Sequence, residues 1–351
     1  MSDILKYIVF MPKRYVVLAL SIVITALMVF VGWMSAAGKG DIYRKSTFVM
    51  DTVATITVVA DSEGQAEGVI DASFKALGEM EQMFSMFKVD SEIGVLNENA
   101  GGNSVRVSRD TLELLKESVE IGRLTGGAFD VTVGPITRLW DFTEKKKKPS
   151  KEKMAEYLPL VDYRNIVLDE VAGTVLLKKM GMVVDLGGVA KGYAADKVVE
   201  ILKKQGIKAG VVAIAGDIKV FGFKDINQPW KIGIRAPRGE SDEIIGVLNL
   251  VDQAVSTSGD YERFFIENGE RFHHLINPAT GYPVNDFQSV TIVNEKGINT
   301  DALSTAVFVM GKKRGLQFIK DVGLRAFIVF NDGNTYITDN LKQYFEPKRN
   351  N

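Results

Sequence analysis

A junction between a predicted strand and a predicted helix brings together a carboxylate, two glycines and a lysine. The stretch is MVVDLGGVAKGYAADKVVEILKKQG, residues 182–206, and its central residues are Asp185, Gly187, Gly188 and Lys191. Paired glycines permit a tight turn and leave backbone groups open to a ligand, while a helix N-terminus favours phosphate. The junction therefore predicts a pyrophosphate site. Ordinary turn chemistry is the alternative, because the glycines match neither G-x-G-x-x-G nor a Walker loop.

The segment NTDALSTAV, residues 299–307, carries a second set of oxygen donors. Asp301 and Thr305 are four residues apart on a predicted helix and therefore share one face. Their hard oxygens suit Mg²⁺, which takes further oxygens from substrate phosphates. Asp185 agrees with this, because a carboxylate beside a phosphate needs a cation or a hydrogen-bonding ligand group between them. A helix N-cap at Thr300 or Asp301 is the alternative explanation.

The two histidines of the chain, His273 and His274, are adjacent in RFHHLINPATGYPV, residues 271–284. On an extended segment neighbouring side chains point to opposite faces, so at most one histidine faces a given site. A buried histidine there is a candidate general base. A structural pair that leads into the turn NPATG is the alternative, and the sequence alone leaves both open.

Composition and charge exclude several classes of protein. The chain has 351 residues, of which 46% are hydrophobic and 25% charged, as expected of a packed globular protein. Its formal net charge of -1 supplies no basic field for nucleic acid, which is therefore not expected as a partner. Cysteine is absent, so disulfides, thiolate nucleophiles and zinc-thiolate sites are excluded. Any metal must be held by oxygen or by the histidines.

The N-terminal part of the chain predicts a membrane anchor. Residues 15–34 contain no charge, and about twenty such residues cross the hydrocarbon of a bilayer as a helix. Because Lys6, Lys13 and Arg14 precede this run, the positive-inside rule keeps the N-terminus in the cytoplasm and sends the remainder outward. A cleaved signal peptide ending near residues 35–37 is the alternative, but the apolar run is longer than is usual for one.

The sequence thus divides into two parts of unequal size. Residues 1–40 are expected to form a cytoplasmic N-terminus, a transmembrane anchor and a short linker, and residues 41–351 an extracytoplasmic catalytic domain. Helical spacing predicts helices at 64–87, 110–124, 193–206 and 300–323. Strands are predicted at 48–60, 209–216, 230–237, 246–259, 289–294 and 324–332, with strands joined by a tight turn in 165–188. The mixture lacks a strict βαβ alternation and indicates an α+β fold.

Seven segments between residue 48 and about residue 311 resemble, in family order, the FAD:protein FMN transferases of the ApbE family. They are MDTVATI, FSMFKVDSEIGVLN, TGGAFDVTVGPITRLWDF, DLGGVAKGYAADKV, STSGDYERFF, HLINPATGYPV and DALSTAVFVMG. Each alone is unremarkable, but seven in sequence make chance an improbable explanation. The resemblance implies mixed, largely antiparallel sheets with packed helices.

The resemblance also implies roles for particular residues. Flavin contacts are expected from Met50, Phe87, Ala128, Phe129, Asp130 and Ile276. Asp185 and Lys191 are expected to contact the nucleotide, and the metal to be held by Asp301, Thr305 and the backbone carbonyl of Gly188. His274 matches the base that deprotonates the acceptor hydroxyl.

This sequence departs from the family pattern at three places. Asn277 stands where many relatives have aspartate, and Ala215, Gly216 and Asp217 replace a frequent Gly-Gly-Asn or Gly-Gly-Asp. Phe87 falls where tyrosine is common, which retains ring stacking on the flavin but not a hydroxyl contact. None of these departures touches the expected metal ligands or base.

The activity implied by the resemblance is Mg²⁺-dependent cleavage of FAD. FMN is passed through its phosphate to a Thr or Ser hydroxyl of an extracytoplasmic acceptor protein, and AMP leaves. An FAD pyrophosphatase that gives FMN and AMP is a close alternative, since only the attacking group differs. A tethered flavin-binding protein without turnover is a third, but joint retention of Asp301, Thr305 and His274 argues against simple storage.

Overall fold

An eight-stranded sheet organises the part of the chain that the computed structural model describes, residues 40–142, 146–240 and 242–348. Its strand order is β1-β2-β6-β7-β10-β13-β14-β15, and all neighbouring strands in it are antiparallel. The strands are β1 (Asp41–Val49), β2 (Thr52–Ala60), β6 (Ala209–Ile214), β7 (Asp217–Phe221), β10 (Ala254–Gly259), β13 (Phe287–Asn294), β14 (Arg325–Phe330) and β15 (Thr335–Ile337). The expectation of an α+β fold with largely antiparallel sheets is confirmed.

Smaller sheets surround the large one. A three-stranded sheet has the order β16-β9-β8, another has the order β3-β5-β4, and β11 and β12 form a hairpin. Their bounds are β3 (Val105–Arg106), β4 (Ile166–Asp169), β5 (Thr174–Leu177), β8 (Trp230–Arg235), β9 (Ile244–Leu250), β11 (Phe264–Glu267), β12 (Glu270–His273) and β16 (Phe345–Pro347).

The helices include three long ones that pack together on one face of the large sheet. Within the described residues the helices are α1 (Glu63–Phe84), α2 (Glu92–Glu98), α3 (Arg109–Leu124), α4 (Gly134–Thr137), α5 (Lys151–Tyr157), α6 (Ala190–Lys204), α7 (Gly297–Val322) and α8 (Asp339–Lys342). Helix α6 packs against α1 and α7, and α7 packs on β10 and β13. Short 3-10 turns lie at Leu158–Leu160 and Tyr163–Asn165.

Alternation along the strands explains the two apolar layers. In β2 the side chains of Ala54, Ile56 and Val58 are fully buried and join the core beneath the helices. On the opposite face, the sheet of β8, β9 and β16 covers the large sheet through a second apolar cluster that includes Trp230 and Leu248. Successive side chains of a strand point to opposite faces of the sheet, so the two apolar clusters bury the large sheet on both faces.

Helices α6 and α7 cross where both have a glycine. A Cβ atom on Gly192 would lie 2.8 Å from Cβ of Asp301 and still nearer to the carbonyl of Gly297. The carboxylate of Asp196 accepts hydrogen bonds from the amides of Gly297 (2.9 Å) and Ile298 (3.1 Å). Because these amides begin α7 and have no partner within that helix, Asp196 fixes the start of α7 against α6.

Three predicted strands are corrected. Residues 246–259 span two strands, β9 and β10, which belong to different sheets. Residues 48–60 are not one strand, because Met50 and Asp51 form the turn of the β1–β2 hairpin with φ angles of 56° and 57°. Residues 182–185 belong to no strand of a sheet. They are extended, and the amide of Asp185 donates to the carbonyl of Val131 at 2.7 Å. The alternation of apolar and polar residues reveals neither the turn at Met50 nor the pairing of Asp185 with Val131.

The helix predicted at 300–323 is longer and interrupted. It begins at Gly297, and Gly311 has φ 73° and ψ 177°, which breaks the helical path. The amide of Lys312, directly after the break, donates to Asp286 at 2.7 Å. The predicted membrane span at residues 15–34 lies outside the described residues. Among the residues that are described, no helix combines the length and apolar character needed to cross a bilayer.

Candidate functional site

The ammonium group of Lys191 lies among oxygens from separate parts of the chain. Its Nζ is 2.9 Å from Oδ2 of Asp217 and 3.5 Å from Oδ2 of Asp301, and it donates to the carbonyl of Gly187 at 3.2 Å. Oδ2 of Asp301 also accepts a hydrogen bond from the amide of Gly192 at 3.0 Å. The first turn of α6, the first residue of β7 and the second turn of α7 therefore meet at one point.

Thr305 extends this group of oxygens along α7. A Cβ atom on Gly188 would lie 3.6 Å from Oγ1 of Thr305 and 3.5 Å from the ring of Phe129. Oγ1 of Thr305 is 3.2 Å from Oγ of Ser258 on β10. Asp301 and Thr305 thus both lie against the segment 187–192, as their spacing predicts. Gly188 leaves open the space that a side chain would occupy beside Thr305.

The pKa values of Asp301 and Lys191 depend on the charged groups around them. Burial and the nearby Asp217 raise the pKa of Asp301 above its ordinary value, although Lys191 acts in the opposite direction. Burial acts to lower the pKa of Lys191, but Asp217 and Asp301 outweigh it and hold that pKa above its ordinary value. The site therefore holds two buried carboxylates against a single ammonium group.

The carboxylate of Asp185 is held by hydrogen bonds from Thr137 and Gly187. Its Oδ2 accepts from the hydroxyl of Thr137 at 3.0 Å, and its Oδ1 accepts from the amide of Gly187 at 2.9 Å. The side chain is half-buried. These contacts orient the carboxylate at the end of α4, on the same loop that carries Gly188.

The carboxylate of Asp130 accepts hydrogen bonds from neighbouring residues of the protein. Its Oδ1 accepts from the amide of Thr132 at 2.8 Å and from the hydroxyl of that residue at 2.6 Å, and its Oδ2 accepts from the amide of Tyr163 at 2.9 Å. Burial raises the pKa of Asp130 despite these hydrogen bonds. The carboxylate ties down the loop that presents Phe129, so a flavin contact through Asp130 would come from its backbone more readily than from its side chain.

His274 has a buried ring nitrogen without a partner. Among the described residues nothing forms a hydrogen bond with its Nδ1. Burial lowers the pKa of His274 to about 3, and the charges of Arg263 and Lys191 add to this. The imidazole is therefore neutral at pH 7 and lies within electrostatic reach of Lys191. Most buried polar atoms in folded proteins have a hydrogen-bond partner, so this unpaired nitrogen is a candidate contact for a ligand.

Met50 packs against the edge of the main core, and Phe87 lies on the surface. Met50 has a positive φ, and its amide donates to Oε2 of Glu81 at 3.1 Å. Phe87 is 73% exposed, an unusual state for a large aromatic side chain. The preceding carbonyl, that of Met86, accepts from Arg138 at 3.2 Å, and Arg138 directly follows Thr137 in the chain. Phe87 is in this way tied to the loop of Asp185.

Ala128, Phe129 and Ile276 are buried. Ala128 and Phe129 belong to the main core, and Ile276 lies in a separate aromatic cluster with Trp140 and Phe272. The indole of Trp140 donates to the carbonyl of Gly281 at 3.0 Å and fixes the turn after Ile276. Contact with a flavin would therefore have to be made at the edges of these clusters.

The structure brings together one group of the predicted site residues by direct contacts. Asp301, Thr305, Gly188, Lys191 and Phe129 share contacts around the start of α6, and Asp185 lies on the same loop. Phe87 is connected to this region through Met86 and Arg138. Met50 is hydrogen-bonded to Glu81 on α1, and Ile276 lies in the separate aromatic cluster.

Sequence reasoning missed several residues of the site. Asp217, Ser258 and Thr137 contact Lys191, Thr305 and Asp185, respectively. Ser258 and Thr137 lie within the segments STSGDYERFF and TGGAFDVTVGPITRLWDF, so membership of a shared segment was the available signal. Asp217 directly follows the turn at Ala215 and Gly216, which had been noted only as a departure from the pattern.

The donor set suits a hard divalent cation. A carboxylate, a hydroxyl and a backbone carbonyl are the oxygen ligands that Mg²⁺ takes beside substrate phosphates. The glycine at 188 leaves room next to Thr305. Within the described residues no group of three or more His, Cys, Asp or Glu side chains is arranged for a metal.

The chain resembles known proteins along most of its length. The sequence model of the ApbE family matches residues 50–328. A protein named FAD:protein FMN transferase from Haemophilus influenzae is 33% identical over 270 residues, which cover 75% of this chain and 78% of that protein. A protein of the same name from Treponema pallidum is 31% identical over 307 residues, which cover 83% of this chain and 85% of that protein.

Solved structures give the same result. The crystal structure of the ApbE protein from Thermotoga maritima superposes with a TM-score of 0.81 at 34% identity, covering 87% of this chain and 99% of the other. That of the flavinyl transferase ApbE from Pseudomonas stutzeri, in its apo form, gives 0.79 at 27% identity, covering 88% and 98%. The shared fold and these similarities define an enzyme of the transferase class. The chain belongs to the ApbE family of flavin transferases.

Proposed function

We propose that this chain is a Mg²⁺-dependent FAD:protein FMN transferase. It cleaves FAD, attaches FMN through a phosphoester bond to a Thr or Ser hydroxyl of an acceptor protein, and releases AMP. The observation that carries the proposal is the convergence of Asp301 and Thr305 on the 187–192 segment, which carries Gly188 and Lys191. The names of the relatives from Haemophilus influenzae and Treponema pallidum support the same reaction.

His274 is the residue proposed to accept the proton. In the reaction the acceptor oxygen forms a bond to the phosphorus of the FMN half, and the bond from this phosphorus to the bridging oxygen breaks. AMP leaves with that electron pair, and the hydroxyl proton passes to the imidazole. Burial keeps the pKa of His274 near 3 without substrate, so the ring is neutral at pH 7, as a base must be. A diphosphate close by would raise this pKa and strengthen the base.

Asp301, Thr305 and the carbonyl of Gly188 are the residues proposed to hold Mg²⁺. When bound, Mg²⁺ would neutralise charge on the diphosphate oxygens during transfer. The ring of Phe129, which lies beside Gly188, supports the placement of the flavin next to that point. Asp185, held by Thr137 and Gly187, remains proposed as a contact of the nucleotide.

The proposal includes a location outside the cytoplasm. The uncharged run at residues 15–34 and the preceding Lys6, Lys13 and Arg14 support a single-pass anchor at the cell membrane. Residues 41–351 would then form the catalytic domain on the extracytoplasmic side, where its acceptor would also be found.

The experiment that tests the function combines the protein with FAD, Mg²⁺ and an acceptor domain that carries a Ser/Thr-Gly-Ala-Ser/Thr motif. We expect a fluorescent adduct that survives denaturation, and mass spectrometry that finds FMN on the hydroxyl residue. Asp301→Ala is expected to abolish turnover while FAD binding persists, because it removes the proposed carboxylate ligand. Asp321→Ala is the matched control, since Asp321 lies on the same helix and is exposed.

The products separate the alternatives. Free FMN and AMP without an adduct would identify a pyrophosphatase, and bound FAD without any product would identify a flavin-binding protein. Full turnover by Asp301→Ala would remove the metal assignment.

A further inference from the structure

The ammonium group of Lys191 already occupies the position of a cation. It contacts Asp217 on β7, Asp301 on α7 and the carbonyl of Gly187 in the loop before α6. Carboxylate and carbonyl oxygens are also the ligands of a hard divalent cation. The protein thus carries a cation of its own on the carboxylate of Asp301, one of the proposed metal ligands.

The ammonium group of Lys191 stabilises the two buried carboxylates beside it, those of Asp217 and Asp301. The side chains of Asp217 and Asp301 are only 8% and 7% exposed. A buried carboxylate is costly unless it is paired, and two that share one site repel each other. Lys191 stabilises both when no metal is present.

A divalent cation and Lys191 compete for the carboxylate of Asp301. The proposed ligands are Asp301 and the carbonyl of Gly188, and Lys191 contacts Asp301 and the carbonyl of the adjacent Gly187. Two positive charges about 4 Å apart repel each other at the effective dielectric constant near a protein surface. This repulsion corresponds to more than about a tenfold loss of affinity for the metal. The ammonium group must therefore release Asp301 before a metal can bind there fully.

Lys191 has an alternative place to go only when the dinucleotide is bound. Its long flexible side chain can turn toward the anionic diphosphate while its charge remains near Asp217. The metal would then gain Asp301, and Lys191 would gain phosphate oxygens. Binding of each would favour binding of the other, because such coupling is reciprocal.

We propose, on the basis of the function proposed above, that Lys191 is a resident counter-charge that keeps divalent cations from the site until FAD arrives. Its role is to make binding of the metal depend on the dinucleotide. Lys191 thereby acts as a specificity residue for the metal–FAD pair and not only as a contact of the nucleotide.

The test is a titration of the full-length protein with Mn²⁺ alone, followed by the electron paramagnetic resonance signal of free Mn²⁺. Mn²⁺ shares the preference of Mg²⁺ for carboxylate, carbonyl and water oxygens. Without FAD, Lys191→Met is expected to bind Mn²⁺ at least about tenfold more tightly than the wild type, because the competing charge is gone. Lys191→Gln retains a hydrogen-bond donor without the charge and is expected to show the same gain if the Met variant folds poorly.

Two further variants show whether the gain arises at this site. Lys197 lies on the same helix, its side chain is also 23% exposed, and its Nζ also contacts two carboxylates, those of Asp110 and Glu113. Because both of those carboxylates are about half exposed to water, Lys197→Met is expected to change Mn²⁺ affinity little. The gain is expected to vanish in Lys191→Met combined with Asp301→Asn.

The outcomes distinguish this proposal from the proposed function. Unchanged Mn²⁺ affinity in both Lys191 variants, or an equal gain in Lys197→Met, overturns the role of Lys191. Tight binding of Mn²⁺ by the wild type without FAD also overturns it. If the wild type binds no Mn²⁺ even with FAD present, the metal-dependent function fails instead.

Discussion

His273 and His274 are consecutive along the chain, yet the protein surrounds their rings differently. His273 is fully buried, its Nε2 lies 3.2 Å from the carbonyl of Val284, and its Nδ1 accepts from the amide of Leu275 at 3.3 Å. These contacts fix the tautomer, because a nitrogen that accepts an amide hydrogen bond carries no proton. Nδ1 of His274 has no such partner among the described residues. The ring of His273 is therefore held by its own loop, and the ring of His274 is the one proposed to meet the substrate.

The stability of the protein in mild acid is expected to depend on His273. Burial lowers the pKa of His273 from 6.5 to about 4. Between these values the unfolded chain binds a proton at this residue and the folded chain does not. The free energy of unfolding therefore falls as the pH falls from 6.5 to 4, by roughly 3 kcal/mol at most for this residue.

The change that checks this is His273→Gln, which removes the titrating group and retains a donor for Val284. We expect a shallower dependence of the free energy of unfolding on pH between 6.5 and 4, measured by urea unfolding at several pH values. The variant is expected to be less stable at pH 7, so the slopes are the quantity to compare. Equal slopes for the two proteins would assign the acid sensitivity to other groups.

Two hairpin turns beside the site have unfavourable backbone conformations. Met50 and Asp51 turn β1 into β2, and Ala215, with φ 52°, begins the turn from β6 into β7. The turns are neighbours, since the amide of Ala215 donates to the carbonyl of Val53. Residues other than glycine with positive φ cost free energy and persist where the surroundings hold them, often at ligand sites. Both turns lie at the end of the sheet that carries Asp217.

The crossing of α6 and α7 determines how Asp301 meets Lys191. Gly192 supplies the amide that Asp301 accepts from, and it also lies against the carbonyl of Gly297 at the start of α7. Asp196, one turn further along α6, accepts from the first amides of α7. The position of the carboxylate in space therefore depends on the close approach of two helices.

Replacing Gly192 by alanine is expected to destabilise the protein. The added Cβ atom would lie 2.8 Å from Cβ of Asp301 and would clash with the carbonyl of Gly297, so the helices would have to separate. Overpacking of this kind costs about 1–3 kcal/mol. Differential scanning calorimetry should show a lower unfolding temperature for Gly192→Ala.

The matched control is Gly78→Ala in α1. A Cβ atom there would meet no atom within 4 Å, and alanine is favoured over glycine in a helix by about 1 kcal/mol. Gly78→Ala should be as stable as the wild type or more so. If both variants behaved alike, the close approach of α6 and α7 would not be the cause.

Long helices and the fold class were predictable from the sequence, and the partners of strands were not. Ser108 is the N-cap of α3 and accepts from the amide of Thr111, as expected of a serine directly before a helical pattern. Gly206 follows the end of α6 with φ 85°, as its position in the sequence indicates. These features depend on residues close together in the chain, where spacing carries the information.

The site was predictable in part for the same reason. Asp301 and Thr305 are neighbours on one helix, so their shared face followed from a spacing of four. Asp217 meets Lys191 through the pairing of β6 with β7 and the packing of α6 on β7, contacts between distant residues that no local pattern specifies. The hairpin turn at Met50 and Asp51 was not predicted, because two-residue turns with positive φ favour Asn-Gly or Asp-Gly and not Met-Asp.

The described part of the chain is expected to fold without residues 1–39. Strand β1 begins at Asp41, which pairs with Ala60, and the pairing with β2 continues to Val49. Its side chains Tyr43 and Val49 pack against the main apolar core. A chain that begins at Gly40 should therefore retain the unfolding temperature and, under the proposed function, the transfer of FMN.

The two chains should differ in where they are found in the cell. Because residues 15–34 supply the uncharged run, the full-length protein is expected in the membrane fraction and the chain from Gly40 in the soluble fraction. A large fall in unfolding temperature on removal of residues 1–39 would mean that they are part of the folded unit. Recovery of the full-length protein in the soluble fraction, shortened by a cut near residue 37, would instead identify a cleaved signal peptide.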